Sequence, residues 1–562
     1  MLDWECDIAM NVIRKICLGV VIACSANLVW AIERPNILLI VAEDMSSRVG
    51  AYGDPIAQTP AIDALAQQGV RYNQAFTAAG VCSPNRSALI TGVQPIRLGT
   101  HQMRTAQGPI PYETVTPAGV KAFPELLRRA GYATVNVAKT DYQFGDPSSI
   151  WDINIGNFIT PPDLAAWRQL PSDKPFFAMI NLMSTHESRL ASNSIKLVGE
   201  HPFKKMIEGL AKWQAANVER VTDPAAVVVP PYYPDTAEVR QSIAQQYDNI
   251  HYMDNEVRQI LENLTADGLD ETTVVIWTTD HGDGFPRAKR SNYDTGLKVP
   301  FIVRWPDGRG AGSQNDQLLS FVDIAPSLLR IAGAHVPSFI EGIDVLGGAK
   351  RDYIFASRDR MDETRDRQRT ARDTRYKYIR NLMPDVAYFR PLAFRDMFPV
   401  MQSWWAGLEA NTLNATQRQY FDAPRAPEEL YDTETDPWEI RNLAYDEAYA
   451  DILTRLRGET DRWLESVDDW GADEEKERVW QMWPDGIQPV TAPPTIELNR
   501  KSALATLSCD TEDASIEYRL FDDENAGSWL IHTGDVAIDP GQGIEARAIR
   551  YGYKPSEITR AE

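Results

Sequence analysis

Cys82-Ser83-Pro84-Asn85-Arg86-Ser87-Ala88-Leu89-Ile90-Thr91-Gly92 is the stretch from which the rest of the chain can be read. It has the make-up of a short helix with a chemically loaded start. Ser83 can cap it, Pro84 suits its first turn and Gly92 can end it. The first turn of a helix presents unpaired N–H groups at the positive end of the helix dipole, and both attract an anion. Arg86 adds a fixed positive charge one turn in. A nucleophile at Cys82 would therefore face a sulfate or phosphate group.

Outward from this helix the chain alternates between apolar runs and amphipathic stretches. Residues 36–42, 134–138, 176–182 and 274–278 read as buried strands, and 61–68, 124–130 and 239–264 read as helices. Such alternation predicts an α/β domain around a large, mostly parallel sheet between helices. Open α/β sheets bind ligands beyond the carboxyl ends of their strands. Glu43 and Asp44 follow the first run, Lys139 and Asp141 the second, His186 the third, and Asp280 and His281 the fourth. One edge of the sheet thus gathers acids, a lysine and two histidines.

The pattern Cys82-x-Pro84-x-Arg86 followed by Thr91-Gly92 resembles the signature of the formylglycine-dependent sulfatases. The resemblance runs from Arg34-Pro35-Asn36-Ile37 through Asp280-His281-Gly282 to Glu429-Leu430-Tyr431-Asp432, Asp436-Pro437 and Asn442-Leu443-Ala444. Within that family, Pro230-Pro231-Tyr232-Tyr233-Pro234-Asp235-Thr236 is similar to the sulfamidases, which act on N-sulfoglucosamine. The resemblance implies an alkaline-phosphatase-like fold. It also implies that Cys82 is oxidised to an aldehyde by formylglycine-generating machinery. One hydroxyl of the aldehyde hydrate would attack sulfur, and the other would expel sulfate by reforming the aldehyde.

Carboxylate-rich sites suit hard divalent cations. By resemblance Glu43, Asp44, Asp280 and His281 are the metal ligands. Calcium is the first choice, and the imidazole leaves manganese open. Glu43 and Asp44 stand where the family has two aspartates, and His281 stands where it has an asparagine. Lys139 and Lys289 match the two lysine positions expected to hold sulfate oxygens, with Arg86 fixing the nucleophile or metal shell. His186 matches the histidine beside the leaving group, where a pKa near neutrality suits a proton donor. Asp141 stands where many relatives have a histidine, and is read as a contact to a substrate hydroxyl. The charge-dense run 358–380 offers Arg372 and Arg375 as substrate arginines. His101, close after the motif helix, is placed on the surface, with lining the pocket as the alternative.

The net charge of −22 argues against nucleic acid as a partner and means that an anionic substrate needs a local basic pocket. Arg14 and Lys15 precede an apolar run over 16–30, and Val29-Trp30-Ala31 fits a signal-peptidase site. The chain is therefore expected to be exported, periplasmic or extracellular, with no integral span once residues 1–31 are removed. Cys24 in Val21-Ile22-Ala23-Cys24 offers a lipoprotein alternative. Loss of 1–31 would leave Cys82 and Cys509 as the remaining cysteines, in separate domains and without a disulfide. The expected organisation is a catalytic domain over 32–352, a smaller α+β subdomain over 353–471, a linker over 472–492 and an accessory β-sandwich over 493–562. The last resembles the C-terminal sandwich of chitobiase-type glycosidases. The expected function is release of sulfate from a sulfated carbohydrate. The alternatives are a phosphonate or phosphodiester hydrolase of the same superfamily, or a glycan-binding protein without catalysis.

Overall fold

The computed structural model describes residues 34–108, 110–155, 162–193, 204–522 and 525–562, so the expected signal segment 1–31 lies outside the described residues. The first apolar run forms strand β1 (Asn36–Ala42). Ile37, Leu39 and Val41 join one apolar core, while Leu38, Ile40 and Ala42 join another. Alternate side chains point to opposite faces of a strand, so β1 is covered on both sides. That is why its sequence is continuously apolar rather than alternating.

The strands that follow are β2 (Val70–Phe76), β3 (Ala133–Val137), β4 (Ile153–Ile155), β5 (Phe176–Leu182), β6 (Thr273–Thr279), β7 (Lys298–Arg304), β8 (Ser313–Asn315) and β9 (Leu319–Ser320). They form one sheet in the order β4-β3-β5-β1-β6-β7-β2-β8, with β9 also paired to β2. β4, β3, β5, β1 and β6 run parallel, and β7 is antiparallel to β6 and to β2. The four strands expected from sequence are thus neighbours, and their carboxyl ends share one edge. Helices α1 (Pro60–Gln68), α2 (Cys82–Thr91), α3 (Phe123–Arg129) and α4 (Ala237–Ala266) cover the faces. Leu89 and Ile90 of α2 and Phe123 and Leu127 of α3 enter one core; Ile62 of α1 and Ile250, Met253 and Val257 of α4 enter the other.

Helix α2 ends on Gly92 in the left-handed region (φ 72°), as expected. Its start differs. Val81, in extended backbone, precedes the helix, no side chain caps it, and Cys82 is itself the first helical residue. Ser83 therefore lies inside the helix and cannot cap it, and the cysteine sits at the positive end of the dipole.

A second, antiparallel sheet holds β10 (Ile354–Arg358), β11 (Gln368–Arg372), β12 (Tyr376–Asn381) and β13 (Glu428–Asp432), with α5 (Ala450–Ser466) beside it. The segment read as a linker contains helix α6 (Glu475–Met482). Glu475 of α6 takes two bonds from the Arg360 guanidinium (2.8 and 2.7 Å) and one from the Tyr112 hydroxyl (3.1 Å), so its first half is fastened to the body of the protein.

The tail forms β14 (Thr495–Asn499), β15 (Leu504–Ser508), β16 (Ser515–Phe521), β17 (Leu530–Ile531), β18 (Val536–Ala537), β19 (Gly543–Ile549) and β20 (Thr559–Ala561). They make two small sheets over a shared apolar core. This sandwich is joined to the α/β domain by buried polar contacts. Glu125 of α3 accepts from Ser515 Oγ (2.6 Å) and the Tyr551 hydroxyl (2.7 Å), and Arg128 meets Glu517 at 3.2 Å. The Tyr551 ring stacks on Phe144, centroids 5.1 Å apart, and Phe144 stacks on Tyr142 at 5.4 Å. Gly552 follows at φ 82°, where a Cβ would lie 2.3 Å from the Thr114 carbonyl, so only glycine permits this approach.

Candidate active site

At the shared strand edge, Glu43 and Asp44 leave β1, Asp280 and His281 leave β6, and α2 delivers Cys82. All five are fully buried. Cys82 Sγ lies 3.2 Å from His281 Nε2 and 3.9 Å from Asp44 Oδ1. The turn after β6 is possible because position 282 is glycine: a Cβ there would sit 1.8 Å from the Thr295 carbonyl. Asn85 ties the motif helix to this turn by donating to the Asp280 carbonyl.

Asp44 Oδ2 accepts from Lys289 Nζ and from the Glu187 backbone N–H, both at 2.7 Å, and Oδ1 lies 3.0 Å from His281 Nε2. Burial raises its pKa, but Lys289, His186 and His281 outweigh that and hold it well below the usual carboxylate range. Glu43 is differently placed. One of its oxygens meets Arg86 and the other meets Lys139 Nζ at 2.6 Å. Arg86 also donates to Asn181 Oδ1 at 2.8 Å and stands 3.5 Å from Asp280 Oδ2.

Asp44, Asp280, His281 and Cys82 each offer a donor atom within 4.8 Å of the others. Asp280 Oδ2 is buried and accepts no hydrogen bond, and its nearest cationic nitrogen is 3.5 Å away. An unsatisfied buried carboxylate oxygen calls for a positive partner. His281 Nδ1 faces the Gly282 carbonyl at 2.9 Å, which places its N–H there and turns Nε2 toward the carboxylates. These donors fit a divalent cation. Glu43, expected as a ligand, groups instead with Asp44, Cys82 and His186 and has each oxygen engaged by a cation.

His186 is buried. The Ser188 backbone N–H donates to its Nδ1 at 3.2 Å, so the neutral ring carries its proton on Nε2, 3.9 Å from Asp44 Oδ2. Burial pushes its pKa well below the usual value; Asp44 opposes this, while Lys289, Lys139 and Arg104 reinforce it. Asp141, at φ 56°, reaches Lys139 Nζ at 3.6 Å. Asp44, Arg104, Ala138, Asp141, Arg290 and Asp362 are half of the twelve non-glycine residues with positive φ among the described residues. Backbone strain is thus concentrated around Cys82.

The structure therefore brings Glu43, Asp44, Cys82, Arg86, Lys139, Asp141, His186, Asp280, His281 and Lys289 together. It does not bring Arg372 and Arg375. Arg372 is buried and reaches from β11 to Asp294, in the short helix Asp294–Leu297 that precedes β7 (3.0 Å), and Arg375 pairs with Asp432 of β13 (2.6 Å), so both are engaged in structural ion pairs. His101 is buried rather than on the surface. Sequence reasoning missed Asn181, Glu187, Arg290, Asp362 and Arg104. Asn181 carried a signal, since an asparagine inside a buried apolar run must be hydrogen-bonded. Glu187, next to His186, salt-bridges Lys289 (2.9 Å) and Arg290 (3.0 Å).

A cysteine at a helix start, flanked by arginine and lysine and facing a carboxylate–imidazole cluster, is a constellation that comparison with known proteins can identify. The sulfatase family model matches residues 35–334, which include the whole cluster. The chain belongs to the sulfatase family. This sulfatase is 37% identical to an ulvan-active sulfatase of Formosa agariphila over 93% of its own chain and 91% of that protein. It is 27% identical to the human N-sulphoglucosamine sulphohydrolase over 77% of this chain and 91% of that one. A solved structure in complex with its substrate D-glucosamine-2-N,6-O-disulfate superposes with a TM-score of 0.55 at 18% identity, covering 79% of this chain and 100% of that chain, which shows the shared fold.

Proposed function

We propose that this sulfatase releases sulfate from a sulfated polysaccharide, O-linked or N-linked, with formylglycine made from Cys82 and a divalent cation held by Asp44, Asp280 and His281. The observation that carries the reading is Cys82 at the start of α2, 3.2 Å from His281 and 3.9 Å from Asp44, with Lys139 bonded to Glu43 and Lys289 to Asp44 beside it. The names of the relatives support a sulfated glycan.

When present, formylglycine supplies the attacking hydroxyl and the cation offsets negative charge on the sulfate. The chain's own residues do the rest. Lys139 and Lys289 are both held as ammonium ions, because the acids around them and Cys82 outweigh the cost of burial. They are positioned to bind sulfate oxygens. Arg86 braces Glu43 and Asp280 and so holds the floor of the site. His186 offers Nε2–H toward the leaving oxygen. With Glu43 occupied by Arg86 and Lys139, two carboxylates and an imidazole remain for the ion, and that mixed set suits manganese better than calcium.

Export through the N-terminal segment, with Arg14 and Lys15 ahead of an apolar run, belongs to the same proposal and rests on sequence. No helix among the described residues is long and apolar enough to cross a membrane.

The test is a sulfate-release screen over defined sulfated oligosaccharides, run beside matched phosphate esters, with mass spectrometry of the peptide holding Cys82. Sulfate release, formylglycine at position 82 and an inactive but folded Cys82→Ala protein are expected. Elemental analysis should find one divalent metal per chain, lost together with activity in Asp280→Ala. Full activity of Cys82→Ala would end the covalent reading, and a preference for phosphate esters would move the protein to the phosphohydrolase class.

A further inference from the structure

The charges beside Cys82 form an alternating ladder. Asp44 meets Lys289 at 2.7 Å, Lys289 meets Glu187 at 2.9 Å, Glu187 meets Arg290 at 3.0 Å, and Arg290 meets Asp362 at 3.2 Å. The last step is Arg104, 3.6 Å from Asp362 and beyond hydrogen-bond range. Every other cation near the nucleophile is closely paired and enclosed. The side chains of Arg86, Lys139, Lys289 and Arg290 are 0, 8, 1 and 4% exposed, whereas that of Arg104 is 31% exposed. Among the described residues the Arg104 guanidinium donates no hydrogen bond, so its planar fork is open at the rim of the site.

The backbone aims it there. Arg104 is held at φ 55°, ψ 68°, a conformation that non-glycine residues rarely adopt without support. The support is visible on both sides. The Met103 N–H donates to the Arg360 carbonyl at 2.8 Å, and the Thr105 N–H donates to Gln143 Oε1 at 3.2 Å. Met103 itself packs in one apolar cluster with Val81 and Cys82. Arg104 is thus mounted next to the nucleophile on a fixed segment. Its charge is felt by the site: burial opposes it, but Asp141, Asp362 and Cys82 more than offset that, and it helps to depress the pKa of His186.

We propose that Arg104 binds a second anionic group of the substrate, a carboxylate or further sulfate on the sugar that is desulfated or on its neighbour. This deepens the sulfated-glycan reading and rests on it. The released sulfate already has Lys139, Lys289 and the cation site. A guanidinium fork matches the paired oxygens of a carboxylate or sulfate. In a chain of net charge −22, a polyanionic substrate needs such a partly exposed cation, free of hydrogen bonds, at the entrance. The substrate class is therefore an acidic, multiply charged oligosaccharide rather than a sugar whose only charge is the departing sulfate.

Binding and turnover are tested apart, so that each idea can fail alone. The full-length Cys82→Ala protein, with and without Arg104→Ala, is titrated calorimetrically with sulfated ulvan oligosaccharides and with the same oligosaccharides after reduction of their carboxyl groups. Nitrophenyl sulfate hydrolysis is measured with Cys82 intact. A charge-assisted hydrogen bond lost at this site corresponds to about 10- to 100-fold weaker binding. That loss is expected on the intact oligosaccharides, with Arg104→Lys in between because it keeps charge without the fork. If reduction of the carboxyls removes the effect of Arg104→Ala, the group bound is a carboxylate; if it does not, the group is a second sulfate. Either result supports the proposal, provided that nitrophenyl sulfate turnover suffers at least tenfold less. Equal losses on nitrophenyl sulfate would show that Arg104 serves the released sulfate and would overturn the proposal, as would unchanged affinity for the oligosaccharides. Absence of sulfate release by the Cys82 protein would count against the functional reading, and the titration would still judge Arg104.

Discussion

His186 shows how the surroundings of a residue selected from sequence refine the role it can be proposed to play. The sequence suggests a histidine near neutrality that gives up a proton as imidazolium. The structure buries it, sets the Ser188 N–H on Nδ1 and surrounds it with Lys139, Lys289 and Arg104, all of which work against a second proton. A divalent ion beside Asp44 would push the same way. An imidazolium with so low a pKa would exist only in acid, and activity resting on it would fall about tenfold per pH unit above that pKa. We expect instead that Nε2–H acts as a neutral hydrogen-bond donor to the leaving oxygen. His186→Ala should then lower turnover of a carbohydrate sulfate by roughly 10²–10³-fold, the range for loss of one transition-state donor. Nitrophenyl sulfate, whose leaving group departs unaided, should lose far less. Steady-state rates on both substrates between pH 6 and 8 decide it: equal losses would move His186 to sulfate binding, and a tenfold fall per pH unit on the carbohydrate would restore the imidazolium.

At the scale of elements, helix α4 does more than cover a face of the sheet. Its Gln246 donates to the carbonyls of Asp44 (3.0 Å) and Thr185 (3.3 Å), and its Glu256 accepts from Ser184 Oγ (2.7 Å), so it fixes both loops that carry the site. Burial raises the pKa of Glu256 to about 7, against the hydrogen bond from Ser184 and the charge of Arg189. The sign follows directly. A carboxyl with a folded pKa above its unfolded value costs nothing below about 4.5, and the cost grows as pH rises to about 7. The full penalty is about 3 kcal/mol. Glu256→Gln should therefore melt higher than the parent at pH 8 and level with it at pH 4.5. A gap independent of pH in thermal melts would refute this. The same helix marks what sequence could reveal. Its apolar spacing was legible, as were β1, β3, β5 and β6, because burial on both faces leaves continuous apolar runs. Cys82, Asp44, Asp280 and His186 were legible because strand ends and the motif place them. Arg104 and Asp362 were not, since their position near Cys82 depends on where two irregular loops return. Arg372 and Arg375 misled because a charge-dense run looks alike whether it faces a substrate or, as here, structural ion pairs.

For the whole molecule, the decisive contact is between the catalytic domain and the sandwich expected to be a mere accessory. Glu125 is its hub. It is fully buried and accepts from Arg129 (2.9 Å), Ser149 Oγ (2.7 Å), Ser515 Oγ (2.6 Å) and the Tyr551 hydroxyl (2.7 Å). Burial alone would raise its pKa, but Lys121, Arg129, Ser515 and Ser149 outweigh this and bring it down to about 2. A carboxylate with a depressed folded pKa contributes stability that is complete above about 4.5 and is lost as pH falls toward 2. The difference is worth about 3 kcal/mol. Glu125→Gln keeps the shape but removes the charge. It should lower the melting temperature clearly at pH 7, and the gap to the parent should close as pH falls below 4.5. The stack of Tyr551 on Phe144 and of Phe144 on Tyr142 leads from this interface to the residue after Asp141. Loosening the sandwich should therefore also raise KM more than it lowers kcat, because Asp141, read as a substrate contact, would be less well placed while Cys82 and the proposed metal ligands keep their own supports. Tyr551→Phe, which preserves the stack and loses only the bond to Glu125, should spare KM where Tyr551→Leu does not. If both Tyr551 variants leave KM unchanged while melting lower, the sandwich stabilises the protein without positioning the site.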